Sequence, residues 1–261
     1  MDNFEPTPPT PESDDIDSGF EAIGFDQVLE ILEKGEFEKE HGAIQWSSNY
    51  TFLTSVHYDH KSVTGVYKPQ RGERPLWDFP DGTLCYRERA SFLVSEALGW
   101  KVVPPTVLRE GPRGLGSLQF YIDHDPDFHY FSFDESMTPQ LMRLSLFDVL
   151  VNNADRKGGH CIVDSQGHLW GIDHGITFHA TNKLRTVIWN FAGSPIPQVL
   201  MDDVEALCER LDHPEDDIIC ELQKLLNARE MNSFTRRVRF LLNEPLYPTP
   251  GPGPNYPWPP V

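Results

Sequence analysis

Apolar residues recur along this chain at two spacings, and the two spacings separate its helices from its strands. Helical spacing is clearest in Leu84–Leu98, where Tyr86, Ala90, Leu93, Val94, Ala97 and Leu98 form one face and Gly99 supplies a stop. It returns in Thr138–Val151 through Leu141, Leu144, Leu146, Phe147, Leu150 and Val151. An earlier helix is expected over Phe25–Gly35, with Asp26 as a cap and Val28, Leu29, Ile31 and Leu32 as its apolar content. Three more are expected over Met201–Arg210, Pro214–Leu226 and Ser233–Leu242. Short runs bounded by turn residues predict strands at Ile44–Trp46, Thr51–Val56, Ser62–Tyr67, Val102–Leu108 and Leu118–Ile122. Cys161-Ile162-Val163 and Leu169-Trp170-Gly171-Ile172 flank the polar turn Asp164-Ser165-Gln166-Gly167, which predicts a β-hairpin. The expected class is α+β: a small five-stranded lobe with one inserted helix, followed by a mostly helical lobe.

Composition divides the chain further. Residues 1–20 are Pro- and Ser-rich, carry six acids and no Lys or Arg, and are expected to be a disordered acidic arm. The first lobe is expected over 21–123 and the second over 124–243. A Pro-rich tail covers 244–261; from Pro245 on, eight of seventeen residues are Pro and none is charged. That composition predicts an extended tail, either solvated or a ligand for a proline-reading partner.

A formal charge of -18 argues against nucleic acid as a partner and against general attraction to anionic lipid. No run approaches the ~18 apolar residues of a spanning helix. The N-terminus lacks the basic-then-apolar layout of a signal peptide. The four cysteines, Cys85, Cys161, Cys208 and Cys220, have no metal-site or redox spacing. The expectation is a cytoplasmic protein with reduced thiols and no stable membrane anchor.

Chemistry is concentrated in Phe147–Phe178. This stretch holds two acid-bearing turns, Asp155-Arg156-Lys157 and Ile172-Asp173-His174-Gly175, separated by the hairpin. A hairpin returns both ends to one side, so Asp155 and His160 are expected near Asp173, an arrangement suited to a divalent cation and its phosphates. Asp155 could orient a substrate hydroxyl, or simply cap a helix. Asp173 could bridge a cation to phosphates, or be an ordinary turn aspartate. His160 could ligate metal, bind phosphate or brace the loop, and His174 is a weaker choice for the same roles. Lys68 ends an uncharged strand, where its ammonium could enter a cleft and bind phosphate oxygens; its carboxylate partner would be Glu88, or failing that Glu96. The alternative for Lys68 is a snorkelling surface residue. Ser47-Ser48-Asn49 could donate hydrogen bonds to terminal phosphates, or be a plain turn.

Taken in order, Lys68, Glu88, the Asp155 loop and the Asp173 turn resemble a protein-kinase-like fold, in particular its phosphatidylinositol 3-/4-kinase-like branch. That branch carries an Asp-Arg-His-x-x-Asn loop and an Asp-Phe-Gly-like turn; here they read Asp155-Arg156-Lys157-Gly158-Gly159-His160 and Ile172-Asp173-His174-Gly175. Ile44–Leu242 more narrowly resembles a bacterial, actinobacterial-type family of phosphatidylinositol-kinase-like proteins, through Tyr67-Lys68-Pro69, Pro75-Leu76-Trp77-Asp78-Phe79-Pro80, Ala97-Leu98-Gly99-Trp100 and Val103-Pro104-Pro105-Thr106. The resemblance implies ATP between two lobes, with Mg²⁺ or Mn²⁺. Lys68 would hold inner phosphates with Glu88 positioning it. Ser48 and Asn49 would cap the phosphates, and Phe120, Tyr121 and Ile122 would form the adenine hinge. Asp155 would be the catalytic base and Asp173 the main metal ligand, with His160 in the place of the family's second ligand, Asn. Lys157 replaces a His and puts a fixed positive charge near the γ-phosphate.

These readings predict an ATP-dependent kinase acting on a hydroxyl of a protein or small polar molecule. The competing readings are a nucleotide-binding pseudokinase scaffold and a metal-dependent hydrolase using His160, Asp173, His174 and His179.

Overall fold

The computed structural model describes residues 24–43 and 50–261. The acidic arm, the strand expected at Ile44–Trp46 and the Ser47-Ser48-Asn49 turn lie outside the described residues. Within them the chain forms two lobes in an α+β arrangement. The first is a five-stranded antiparallel sheet, β1 (Glu36–Ala43), β2 (Phe52–Tyr58), β3 (Lys61–Pro69), β4 (Thr106–Gly111) and β5 (Gly114–Phe120), in the order β1-β2-β3-β5-β4. The helix α1 (Phe25–Lys34) precedes it and α2 (Leu84–Ala97) is inserted between β3 and β4. The second lobe holds α3 (Thr138–Val151), the hairpin β6 (Cys161–Val163) and β7 (Leu169–Gly171), and α4 (Gln198–Leu211), α5 (Asp217–Leu225) and α6 (Ala228–Asn243).

Alternation along β3 decides where its lysine points. Val63, Tyr67 and Pro69 are buried on one face, and Val63 and Tyr67 join Val28, Ile31 and Leu32 of α1 in the sheet's own core. Lys68, one residue out of phase with Tyr67, therefore projects from the opposite face. It is paired across the sheet with Ser117 of β5, so strand register as well as side-chain packing fixes its position.

The helix α2 is buried on nearly all sides, polar Arg87, Glu88, Ser91 and Ser95 included. Its Ala90, Phe92, Leu93 and Val94 join a single apolar cluster with Leu144, Phe147 and Leu150 of α3, Val204 of α4, Leu222 of α5 and Phe234 of α6. One element thus ties sheet to helical lobe. Burying each large apolar side chain of this kind stabilises by about 1.5–3 kcal/mol.

Besides the one inserted helix, α2, the sheet is covered by α1, the helix expected over Phe25–Gly35. Several expectations shift. The charged run Glu36–Ala43 is a strand that periodicity does not predict. The fourth strand begins at Thr106; Val102 and Val103 belong instead to the large cluster of the second lobe. The fifth ends at Phe120, leaving Tyr121 and Ile122 beyond it. Helix α6 begins at Ala228, five residues before expected, under a reciprocal cap in which Asn227 accepts from the backbone of Arg229 and Glu230 while Glu230 accepts from Asn227 N–H.

The Pro-rich segment is not the free solvated tail that composition predicts. Tyr247 is buried and its hydroxyl donates to Met142 O (2.9 Å). Asn255 O accepts from Thr186 N (3.1 Å) and from Trp189 Nε1 (3.1 Å), and Pro260 O accepts from Gly158 N (2.8 Å). Proline lacks a donor but keeps its carbonyl, so such a segment can dock as an acceptor.

Candidate active site

The ammonium of Lys68 is shared by two carboxylates from distant parts of the chain. Its Nζ lies 2.5 Å from Glu88 Oε1 on α2 and 2.9 Å from Asp173 Oδ1, which follows β7. Glu88 is the partner, then, and not Glu96. Glu88 is 3% exposed and its second oxygen accepts from His174 N (3.0 Å), so one carboxylate orients both the lysine and the turn after Asp173. Burial opposes the charge on Lys68, but Asp173 and Glu88 outweigh it and hold the lysine firmly protonated. Burial pushes the Glu88 carboxyl up, against the pull of Lys68. For Asp173 burial also pushes upward, yet Lys68 prevails and keeps the carboxyl well below the usual range. Asp173 retains 46% of its side-chain exposure, so one edge of this ionised carboxylate stays open. Its backbone is left-handed (φ 60°), a conformation that costs energy in a non-glycine residue and is kept where surrounding contacts demand it.

His160 Nε2 approaches Asp173 Oδ2 at 3.4 Å. Burial pulls the His160 pKa down to about 4 despite Asp173, so the ring is neutral at neutral pH. Asp155 lies near enough to Asp173 for that charge to act on it. Burial raises its carboxyl to about 6, Lys157 opposes that rise, and the negative charge of Asp173 adds to it. Lys157 Nζ is 3.7 Å from Asp155 Oδ2. Lys68, Glu88, Asp173, His160, Asp155 and Lys157 therefore gather in one cluster linked through Asp173. Phe120 and Tyr121 are half-buried, and Ile122 packs with Ile162 and Trp170 in a small cluster that Phe120 and Ile172 adjoin. The Ile122 carbonyl faces His124 Nδ1 (2.8 Å) and Tyr121 N–H donates to Thr64 O (2.9 Å). Two backbone groups of that segment are thus already engaged within the chain.

No family model matches the chain. The protein Rv2133c of Mycobacterium tuberculosis is 38% identical over 253 residues, covering 84% of this chain and 90% of that protein. The chain belongs to the Rv2133c family. Among solved structures, the Helicobacter pylori proinflammatory kinase CtkA is similar at a TM-score of 0.45 and 11% identity, over 80% of this chain and 97% of that one.

In this member of the Rv2133c family the cluster is braced by a residue whose role no local pattern shows. Arg156, fully buried, donates Nε and Nη2 to Asp148 of α3 (both 2.9 Å) and Nη1 to the carbonyls of His160 (3.1 Å) and Ile172 (2.9 Å). One guanidinium thereby pins the Asp155 loop to the Asp173 turn. Its Nη2 also lies 2.6 Å from His174 Nε2. A guanidinium can only donate, so His174 Nε2 accepts and the ring proton sits on Nδ1. His174 is fully buried and its pKa falls well below the ordinary value, chiefly through burial. It braces the Arg156 guanidinium. His179 Nε2 faces Asp78 O (3.0 Å), well engaged elsewhere. The four-residue hydrolase set of His160, Asp173, His174 and His179 is therefore not assembled, and among the described residues no three His, Cys, Asp or Glu side chains gather as metal ligands. Asn152, left-handed at the end of α3, donates Nδ2 to His179 O (2.9 Å) and Thr181 O (2.8 Å), linking the Asp155 loop to the chain that follows Asp173. The alternation of Asn152-Asn153 with a helix end was the readable signal, since Asn is the commonest non-glycine residue in that conformation.

Proposed function

We propose that this chain is an ATP-dependent phosphotransferase of the phosphatidylinositol 3-/4-kinase-like kind, delivering a γ-phosphoryl group to a hydroxyl of a protein or small polar molecule. The observation that carries the reading is the single ammonium of Lys68 held between Glu88 and Asp173, with Asp155 near enough for the charge of Asp173 to act on it. Lys68, kept charged by Glu88 and Asp173, would bind phosphate oxygens in exchange for its contact with Asp173. Asp155, with a pKa near 6, is ionised at neutral pH yet basic enough to accept the proton of an attacking hydroxyl. Lys157, beside it, supplies positive charge where the transferring phosphoryl gathers negative charge.

The donor chemistry fits a hard divalent cation in part. Asp173 offers a half-open carboxylate that would hold Mg²⁺ or Mn²⁺, with nucleotide phosphates completing the oxygen shell, and the ion would neutralise phosphate charge. His160 is a softer ligand, and its Nε2 faces Asp173. That imidazole is the observation favouring a second reading, a nucleotide-binding scaffold with weak or no turnover.

Incubation with γ-labelled ATP, Mg²⁺ and cell extract tests the proposal. Label transfer abolished by Asp155→Ala and Asp173→Ala supports the transferase. ATP-induced thermal stabilisation lost in Lys68→Met, without any transfer in the parent protein, selects the scaffold. Neither binding nor transfer ends both readings.

A further inference from the structure

The chain is strongly acidic, with 22 Lys and Arg against 40 Asp and Glu, yet one of its clefts is lined by arginine and no acid. Arg229, Asn232, Arg236 and Arg239 fall at i, i+3, i+7 and i+10 on α6, which places them on a single stripe. Facing them are Ala180 and Thr181, from the segment that follows the Asp173 turn, and Ser233 and Thr235 complete the wall. The cleft is open and holds about 470 Å³. Arg236 Nη2 donates only to the neutral Ser233 Oγ (2.8 Å), and Arg239 alone is neutralised, by Asp212. Among the described residues the Arg229 side chain has no hydrogen-bond or ion-pair partner.

We infer that this cleft is a binding site for a phosphate-type dianion, separate from the Lys68 crevice. Two guanidiniums without a carboxylate partner, on a chain with nearly twice as many acids as bases, form a local reversal of the molecule's field. Planar guanidinium forks match phosphate oxygens in pairs, and the amide and hydroxyls of Asn232, Thr235 and Thr181 add neutral donors. A carboxylate would meet the same charges, but it has two oxygens where phosphate presents three to a cleft with donors on both walls.

The cleft is also joined to the crevice by side chains already described. Thr181 O accepts from Asn152, three residues before Asp155. On the other wall Glu230, next to Arg229, forms a buried pair with Arg87, the neighbour of Glu88, and Arg87 Nη1 donates to Thr177 O (2.7 Å). The dianion could come as free phosphate or as the phosphomonoester of a lipid headgroup, and the chemistry on the protein side is the same.

Calorimetric titration of the whole chain with inorganic phosphate and pyrophosphate, at fixed ionic strength, tests the site. A parallel arm measures co-sedimentation with phosphatidylcholine vesicles with and without phosphatidic acid. The Arg229→Gln/Arg236→Gln variant changes two exposed side chains and leaves the crevice intact. Saturable binding that the variant weakens by about tenfold or more supports the site. Vesicle binding that requires phosphatidic acid and both arginines, with no response to the free anions, supports it and assigns the source to a headgroup. Equal affinity in parent and variant, or no saturable binding in either arm, overturns it. The readout is anion affinity, so a failure of ATP transfer leaves the outcome legible.

Discussion

Replacing Asp155 by Asn should make the protein more stable and less active at once. In the folded chain the carboxyl is raised from 3.8 to about 6, and burial is the leading cause. A rise of about two units corresponds to about 3 kcal/mol of cost for holding the group ionised, at about 1.36 kcal/mol per unit. Its side chain is 25% exposed, so most of that figure applies. The sign follows from proton linkage. Between about pH 4 and pH 6 the folded state holds a proton that the unfolded state has released, so stability contributed by this group is full below pH 4 and lost as pH rises through 6. His160, held down to about 4 by burial, tilts the other way, losing stability as pH falls below its unfolded value. The difference between variant and parent is therefore the quantity to read. Urea denaturation at several pH values, in EDTA, should show Asp155→Asn more stable than the parent by about 2–3 kcal/mol at pH 7.5, converging with it near pH 4. The amide loses little contact, since the carboxylate's close partner, Lys157, stands 3.7 Å away. An Asn variant equal to or weaker than the parent at pH 7.5 would refute burial as the source of the shift. In turnover assays the parent's own rate should fall as pH drops through about 6, as the base is titrated.

Other consequences can be measured singly. Lys68→Met should destabilise by about 3–5 kcal/mol because Glu88 is left buried without its cation; adding Glu88→Gln should restore part of that stability in denaturant titrations but no ATP binding. Arg156→Met leaves buried Asp148 uncompensated and unties the Asp155 loop from the Asp173 turn, so a loss of about 3–5 kcal/mol is expected by the same measurement. Truncation before Asn255 removes the acceptors of Thr186 and Gly158, and hydrogen exchange at those two amides should quicken while amides of α3 keep their protection.

What could be read from the sequence and what could not follow the same physical line. The helices α2 and α3 declare themselves by the length of their apolar content and, for α2, by the stop at Gly99, although α2 is buried on nearly all sides and not on one face; the hairpin does so because Asp164-Ser165-Gln166-Gly167 has turn chemistry. Lys68 and Glu88 can be paired in advance because alternation along a strand and one helical insertion restrict where an ammonium can go; the second pair, with Asp173, is not in the local pattern. Strand β1 was not legible: as an edge strand its pairing is through the backbone with β2, and charged Glu36, Glu38 and Lys39 suit an edge while hiding the period. The start of α6 is legible in Asn227 and Glu230, which have capping-box spacing, although apolar periodicity alone begins the helix at Ser233. Arg156 was recognised only as the neighbour of Asp155. Its role depends on Asp148, eight residues back, and on two carbonyls brought near by the hairpin, none of which local pattern reveals. The Pro-rich segment misled because composition reports what a chain cannot bury, and not which carbonyls a neighbouring loop will use.

Charge in the crevice makes a last demand. Lys68 and Lys157 contribute two positive charges; Glu88, Asp155 and Asp173 contribute three negative ones, and His160 is neutral, which leaves a net -1 where a triphosphate is proposed to bind. Lys68 is moreover already satisfied by two carboxylates, so phosphate oxygens must compete with Asp173 for it. Without a counter-cation, ATP would meet a negative wall. ATP affinity should therefore be weaker in EDTA than in millimolar Mg²⁺ by at least about tenfold, since one unscreened like-charge contact near 4 Å is worth about 1–4 kcal/mol. Asp173→Asn removes one of those charges and frees Lys68, so in EDTA the variant should bind ATP more tightly than the parent, while the Mg²⁺ enhancement shrinks. Titration of a fluorescent ATP analogue in both buffers reads the two effects together. Equal affinity with and without Mg²⁺ in the parent, or weaker binding by the variant in EDTA, would place ATP somewhere other than beside Asp173.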